Sequence, residues 1–86
     1  MIFDTAEARC LLGVLKLLVK EKSKYSILFK STRVSHTTLQ SVLKEAENKK
    51  LIVKYDIGHQ NVDYEITDKG KKLLRKLEEI KMLLNS

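Results

Sequence analysis

Thr37, Gln40, Ser41, Lys44 and Asn48 are the residues of this 86-residue chain whose types and spacing best suit chemistry at a surface. At 100° per residue they gather on one side of a helix, while Leu39, Val42, Leu43 and Ala46 gather on the other. The first group offers short or flexible hydrogen-bonding groups and one cation, with no large apolar residue among them. Such a face suits the base edges and phosphates of a DNA major groove, and it equally suits water. Catalysis is poorly served. The two histidines and single cysteine lie far apart, in no metal-ligand spacing, and Gly13, Gly58 and Gly70 form no phosphate loop. The expectation is a protein that is not an enzyme, with no metal or cofactor and no evident small-molecule ligand.

The helix that carries this face needs others to hold it. Ser23 is placed to cap a short helix over about 24–30, in which Tyr25, Ile27, Leu28 and Phe29 supply apolar contacts. Ser31, Thr32 and Arg33 make a break, Val34 plugs the space beneath it, and Ser35 caps the next helix from His36. A helix, a short break and a polar-faced helix form a helix-turn-helix arrangement. Upstream, Asp4 or Thr5 can cap a first helix that ends near Lys20. Its apolar residues cover more than half its circumference, leaving Arg9, Lys16, Lys20 and Gly13 for water. A surface helix needs a stripe of roughly 100°, so the surplus calls for cover from the last helix or a second subunit.

Downstream, Leu51, Ile52, Val53, Tyr55 and Ile57 are strand formers, residues 58–61 are polar turn formers, and Val62 to Ile66 alternate strictly. This predicts a two-stranded hairpin that packs Val62, Tyr64 and Ile66 against the helices. Thr67 caps a last helix in which Leu73, Leu77, Ile80 and Leu84 form a heptad-like seam. The seam and the over-apolar first helix together point to a homodimer.

Charge is distributed to match. The net charge is +6, and residues 23–50 hold six Lys or Arg against two acids, residues 68–86 six against three, while residues 51–67 hold one against three. A basic excess on the two-helix unit is the electrostatic footprint of a nucleic-acid binder. No apolar run approaches the ~18 residues of a membrane span, and a lone Cys10 implies a buried thiol. The expected setting is intracellular, cytoplasmic and nucleoid-associated.

The junction Tyr64-Glu65-Ile66-Thr67-Asp68-Lys69-Gly70-Lys71-Lys72-Leu73-Leu74 resembles the Y-x-hydrophobic-T-x-x-G-x-x-L-L signature of small archaeal winged-helix transcription regulators. Their relatives in the multiple-antibiotic-resistance and phenolic-acid-repressor families share it, and Leu51-Ile52 sits where those families have a similar pair. The resemblance implies a mainly α fold with a two-stranded wing, as one winged helix-turn-helix domain over 1–86. Its helix-turn-helix would span about 24–49, the wing hairpin about 51–66 and a C-terminal dimerisation helix about 68–84. It also implies a DNA-binding transcription regulator, with residues 36–49 as recognition helix and dimers formed through the first and last helices.

The expected contacts to double-stranded DNA are Ser35, His36, Thr37, Thr38, Gln40, Ser41 and Lys44 on the recognition helix, with Lys24, Lys30, Arg33, Lys49 and Lys50 on the phosphate backbone. The wing tip carries His59, Gln60 and Asn61, flanked by acids, where such wings usually carry Arg or Lys; it is expected to offer neutral hydrogen bonds or to stand clear. Leu12, Leu15, Val19, Leu73, Leu77, Ile80 and Leu84 are the expected dimer contacts. The recognition helix also lacks arginine, which reads guanine bidentately. That absence keeps two alternatives open, an architectural protein that coats DNA with little sequence preference and a protein-interaction module.

Overall fold

The computed structural model describes residues 5–56, 58 and 62–85. Thr5 opens the first helix, α1 (Ala6–Lys20), its hydroxyl accepting the Ala8 amide at 3.1 Å, with Glu7 in the first turn and Lys20 in the last. Both charges complement the helix dipole. Helix α1 runs through the middle of the molecule, against α2 (Tyr25–Thr32), α3 (His36–Asn48), α4 (Asp68–Asn85) and strand β3 (Val62–Ile66). Its surplus apolar surface is therefore largely absorbed within the chain. Leu15 is fully buried and Leu12 is 7% exposed, so neither is available to a second subunit, contrary to the sequence expectation; Val19, at 44%, remains outside. Gly13, expected to face water, is half-buried, on the side of α1 that meets Thr32 of α2.

Helix α2 begins one residue later than expected and without a side-chain cap. Lys24 occupies the capping position, and Ser23 belongs instead to a two-residue strand, β1 (Ser23–Lys24). β1 pairs antiparallel with β3, which pairs antiparallel with β2 (Ile52–Asp56), giving the order β1-β3-β2. The expected two-stranded hairpin is thus the larger part of a three-stranded sheet. Ser23 opposite Tyr64 and Lys24 opposite Asp63 give the central strand a partner on each edge, which a lone hairpin, marginal in water, would lack.

α2 ends where Arg33 turns into the left-handed region (φ 56°), its amide bonding to the Phe29 carbonyl at 3.3 Å. Ser35 then caps α3 as its type and position predict. Its Oγ accepts from the Thr38 amide at 3.2 Å and donates to the Thr38 hydroxyl at 3.0 Å. Leu39, Val42, Leu43 and Ala46 bury the inner face of α3. The helix stops at a left-handed residue, Lys50 (φ 61°), with Lys50 N–H on the Glu47 carbonyl (3.0 Å) and Leu51 N–H on the Ala46 carbonyl (2.8 Å). Those bonds satisfy carbonyls that a helix end otherwise leaves open.

The junction motif has a physical basis at this point. The Thr67 hydroxyl lies 2.7 Å from the Lys50 carbonyl and 3.0 Å from that of Leu51, while accepting from the Gly70 amide at 3.0 Å. The Thr67 amide also bonds to the Leu51 carbonyl, at 3.0 Å. One side chain thus caps α4 and ties it to the end of α3. Gly70 allows the close approach, because a Cβ there would stand 2.7 Å from Ile66 Cγ1 and nearer still to the Leu51 carbonyl oxygen. Tyr64, Ile66 and Leu74 are buried and Leu73 packs partly against the core, so each apolar position of the motif has a packing role.

Candidate nucleic-acid interface

Burying one face of α3 leaves the opposite face outside. Thr37, Gln40, Ser41, Lys44 and Asn48 are all exposed, in the row the periodicity assigned to them. Ser35 is also exposed, but its hydroxyl is engaged with Thr38, and Thr38 is half-buried. These two hold the helix start more than they present groups outward. Lys24, Lys30, Arg33, Lys49 and Lys50 are exposed. Of these, Lys49 donates to Glu45 at 2.8 Å, and that hydrogen bond holds the Glu45 carboxyl below the ordinary carboxylate range. Its charge is partly offset before any duplex arrives.

Beside α3 lies an open groove of about 890 Å³, bordered by Lys24, Gln40, Lys44, Glu47, Lys54 and Tyr64 among others. Three lysines from three elements, β1, α3 and β2, border it, together with Glu47. Lys54 was not among the sequence-level candidates; as the one cation of residues 51–67, it could have been found from the register, which sets it opposite Tyr64. A second unexpected feature is aromatic. His36 stacks on Phe29 with ring centroids 3.7 Å apart and planes 9° apart, and its Nδ1 lies 2.9 Å from the Tyr25 hydroxyl. Tyr25 and Phe29, assigned from sequence to the apolar contacts of α2, thereby also fix the first residue of α3. Their i, i+4 spacing on α2 is the signal that was available.

At the hairpin tip, Asp56 accepts from the Gly58 amide at 3.1 Å, and Gly58 takes a left-handed φ of 82°. His59, Gln60 and Asn61 lie outside the described residues. At the other end of the molecule, residues 78–85 of α4 are exposed throughout, with Met82 at 72% and Leu83 at 75%. The expected seam is divided. Leu73 and Leu77 pack partly on the chain's own core, while Ile80 and Leu84 stand outside it. Among the described residues no cluster of His, Cys, Asp or Glu could hold a metal ion, and no helix is long and apolar enough to cross a membrane.

The order of elements, the sheet beside α3 and the capped junction meet their counterpart in sequence comparison, where a winged helix-turn-helix family model matches residues 7–85. The chain belongs to the winged helix-turn-helix family. In this winged helix the hairpin β2–β3 follows α3 directly and pairs with β1. Solved structures share the fold at low identity. The protein smu.1704 from Streptococcus mutans superposes with a TM-score of 0.83 at 22% identity, over 94% of this chain and 82% of that one. A transcriptional regulator from Clostridium thermocellum gives 0.82 at 24% identity, over 88% and 82%. Sso10a-2, a DNA-binding protein from Sulfolobus solfataricus, gives 0.77 at 23%, over 94% and 82%. No curated protein is significantly similar in sequence.

Proposed function

We propose that this winged helix is a DNA-binding transcription regulator that acts as a homodimer, without enzymatic activity. The observation that carries the reading is the third helix, whose inner face is fully used by the core while its polar outer face stands open beside a groove bordered by three lysines. Groups such as Thr37, Gln40 and Ser41 suit base edges, and lysine ammonium groups suit phosphates. The likeness to a Clostridium thermocellum transcriptional regulator supports the same reading. For the dimer, the support is the group of large apolar side chains exposed on one face of the second half of α4, Ile80, Leu83 and Leu84. Two-fold pairing there would present two recognition helices to successive major grooves roughly 34 Å apart, so a specific site would be palindromic.

A second reading, sequence-tolerant architectural binding, is favoured by the absence of arginine from α3 and by the likeness to the DNA-binding protein Sso10a-2. Selection of bound duplexes from a random-sequence pool at near-physiological salt separates the two. Enrichment of a palindrome supports the regulator. Retention of DNA without enrichment supports the architectural protein, and retention of none rejects both.

A further inference from the structure

His36 is the first residue of α3 and is exposed, yet its ring is held on two sides. One face lies on Phe29 at 3.7 Å, and Nδ1 lies 2.9 Å from the Tyr25 hydroxyl. Tyr25 and Phe29 are themselves parallel to within 5°, so the three rings form one stack between α2 and the start of α3. An imidazole Nδ1 lone pair in the ring plane is a stronger acceptor than a phenol oxygen, whose electrons are drawn into its ring. With the Tyr25 hydroxyl as donor, a neutral imidazole carries its proton on Nε2. No other hydrogen bond to the ring is made among the described residues. In that tautomer Nε2–H is a donor whose direction the stack and the Tyr25 contact fix.

His36, Gln40 and Lys44 follow at four-residue intervals and so line one stripe of the recognition helix. The N-terminal residues of such a helix are the ones that reach base edges. A single donor there meets N7 of either purine, O6 of guanine or O4 of thymine; cytosine alone presents only a donor, its N4 amine. Resting on the DNA-binding reading above, we infer that His36 reads a base acceptor through Nε2–H and so selects against cytosine, and that Tyr25 is a positioning residue which sets the plane and tautomer of that ring. The absence of arginine from α3 makes this donor more consequential, since the cation on the stripe, Lys44, lies two turns further along.

The test compares the full-length wild-type chain with Tyr25→Phe, His36→Ala and the double variant, each used to select duplexes from a random-sequence pool. The wild type is expected to show a preference against cytosine at one position of each half-site. His36→Ala should reduce that preference roughly five- to tenfold, and Tyr25→Phe should reduce it in part. The double variant should match His36→Ala, because Tyr25 acts through His36. In the wild type, the ¹H–¹⁵N correlation spectrum of His36 should show the Nε2-protonated tautomer. An Nδ1-protonated ring overturns the inference. So does a wild type that binds DNA with no preference against cytosine, a preference that survives His36→Ala, or a Tyr25→Phe loss that persists without His36; in these last cases DNA binding itself still stands. A wild type that retains no duplex rejects the DNA-binding reading and this inference with it.

Discussion

Replacing Gly70 by alanine tests whether the tie between α4 and the end of α3 is as close as described. The new Cβ would meet Ile66 Cγ1 at 2.7 Å and the Leu51 carbonyl at shorter range, where ordinary contact begins near 3.4 Å. The helix or the 50–51 bend must then move by roughly 1 Å. Overpacking of that kind costs about 1–3 kcal/mol. The upper part of the range applies, because one obstacle is backbone and the other a β-branched side chain in the core. Movement also stretches the Thr67 bonds to residues 50 and 51, adding about 1 kcal/mol. Against this, alanine in place of glycine favours a helix by about 1 kcal/mol. The net expectation is a destabilisation of about 3 kcal/mol, which for a domain of this size lowers Tm by about 12–24 °C.

The control is Gly13→Ala in α1, where the added Cβ meets only Thr32 Cγ2 at 3.6 Å, an ordinary contact. There the helix preference is unopposed, and Tm should rise by a few degrees. Both variants should be melted at one protein concentration, followed by circular dichroism at 222 nm. If Gly70→Ala melts within 3 °C of the wild type, or if the two variants shift Tm in the same direction, the packing argument is wrong.

Lys44→Ala and Lys54→Ala should each weaken duplex binding and reduce the slope of log K against log salt by about 0.9, measured by fluorescence anisotropy across a salt series; unchanged slopes would remove the groove from the interface. Leu84→Asp should leave Tm nearly unchanged at concentrations where the wild type is monomeric, yet abolish sedimentation as a dimer, because Leu84 is 46% exposed within the chain. Leu77→Asp is the poorer probe, since Leu77 also packs on the core. Lys50→Gly should raise stability by about 0.5–1 kcal/mol by relieving a left-handed non-glycine residue, checked by urea titration. Burial raises both the Cys10 thiol and the Tyr64 phenol above their ordinary values of 9.0 and 10.0. Their contribution to stability is therefore complete below about pH 9 and is lost as pH rises through the raised values; Tm measured from pH 7 to 10.5 should be flat and then fall.

What the residues disclosed in advance was mainly local. Ser35 and Thr67 are recognisable caps because a hydroxyl before an apolar-periodic run has a defined amide to accept. The alternation of residues 62–66 located β3, and the 3.6-residue period located both faces of α3. What stayed hidden depends on pairing between distant segments. β1 is two residues long, too short for alternation to register, and Ser23 and Lys24 are not strand formers. The width of the apolar arc on α1 measured how much surface had to be covered, but not by what; the sheet and three helices cover it, which withdrew Leu12 and Leu15 from the dimer face. His36 was correctly placed at a helix start, but its stack with Tyr25 and Phe29 arises from the angle between two helices, which no periodicity encodes. Lys54 was hidden for the same reason, since its value lies in the groove that two other elements complete.

The Thr67 tie also separates the evolution of the wing from that of the rest. By joining residues 50–51 to 67–70, it closes the chain at the base of the hairpin, so β2 and β3 hang from a fixed pair of anchor points. Residues added between the strands lengthen a loop whose ends are already held, and each doubling of such a loop adds only about 0.6 kcal/mol of closure entropy. Length and charge at that position are thus nearly free variables. A change of residues there leaves the exposed polar face of α3 undisturbed.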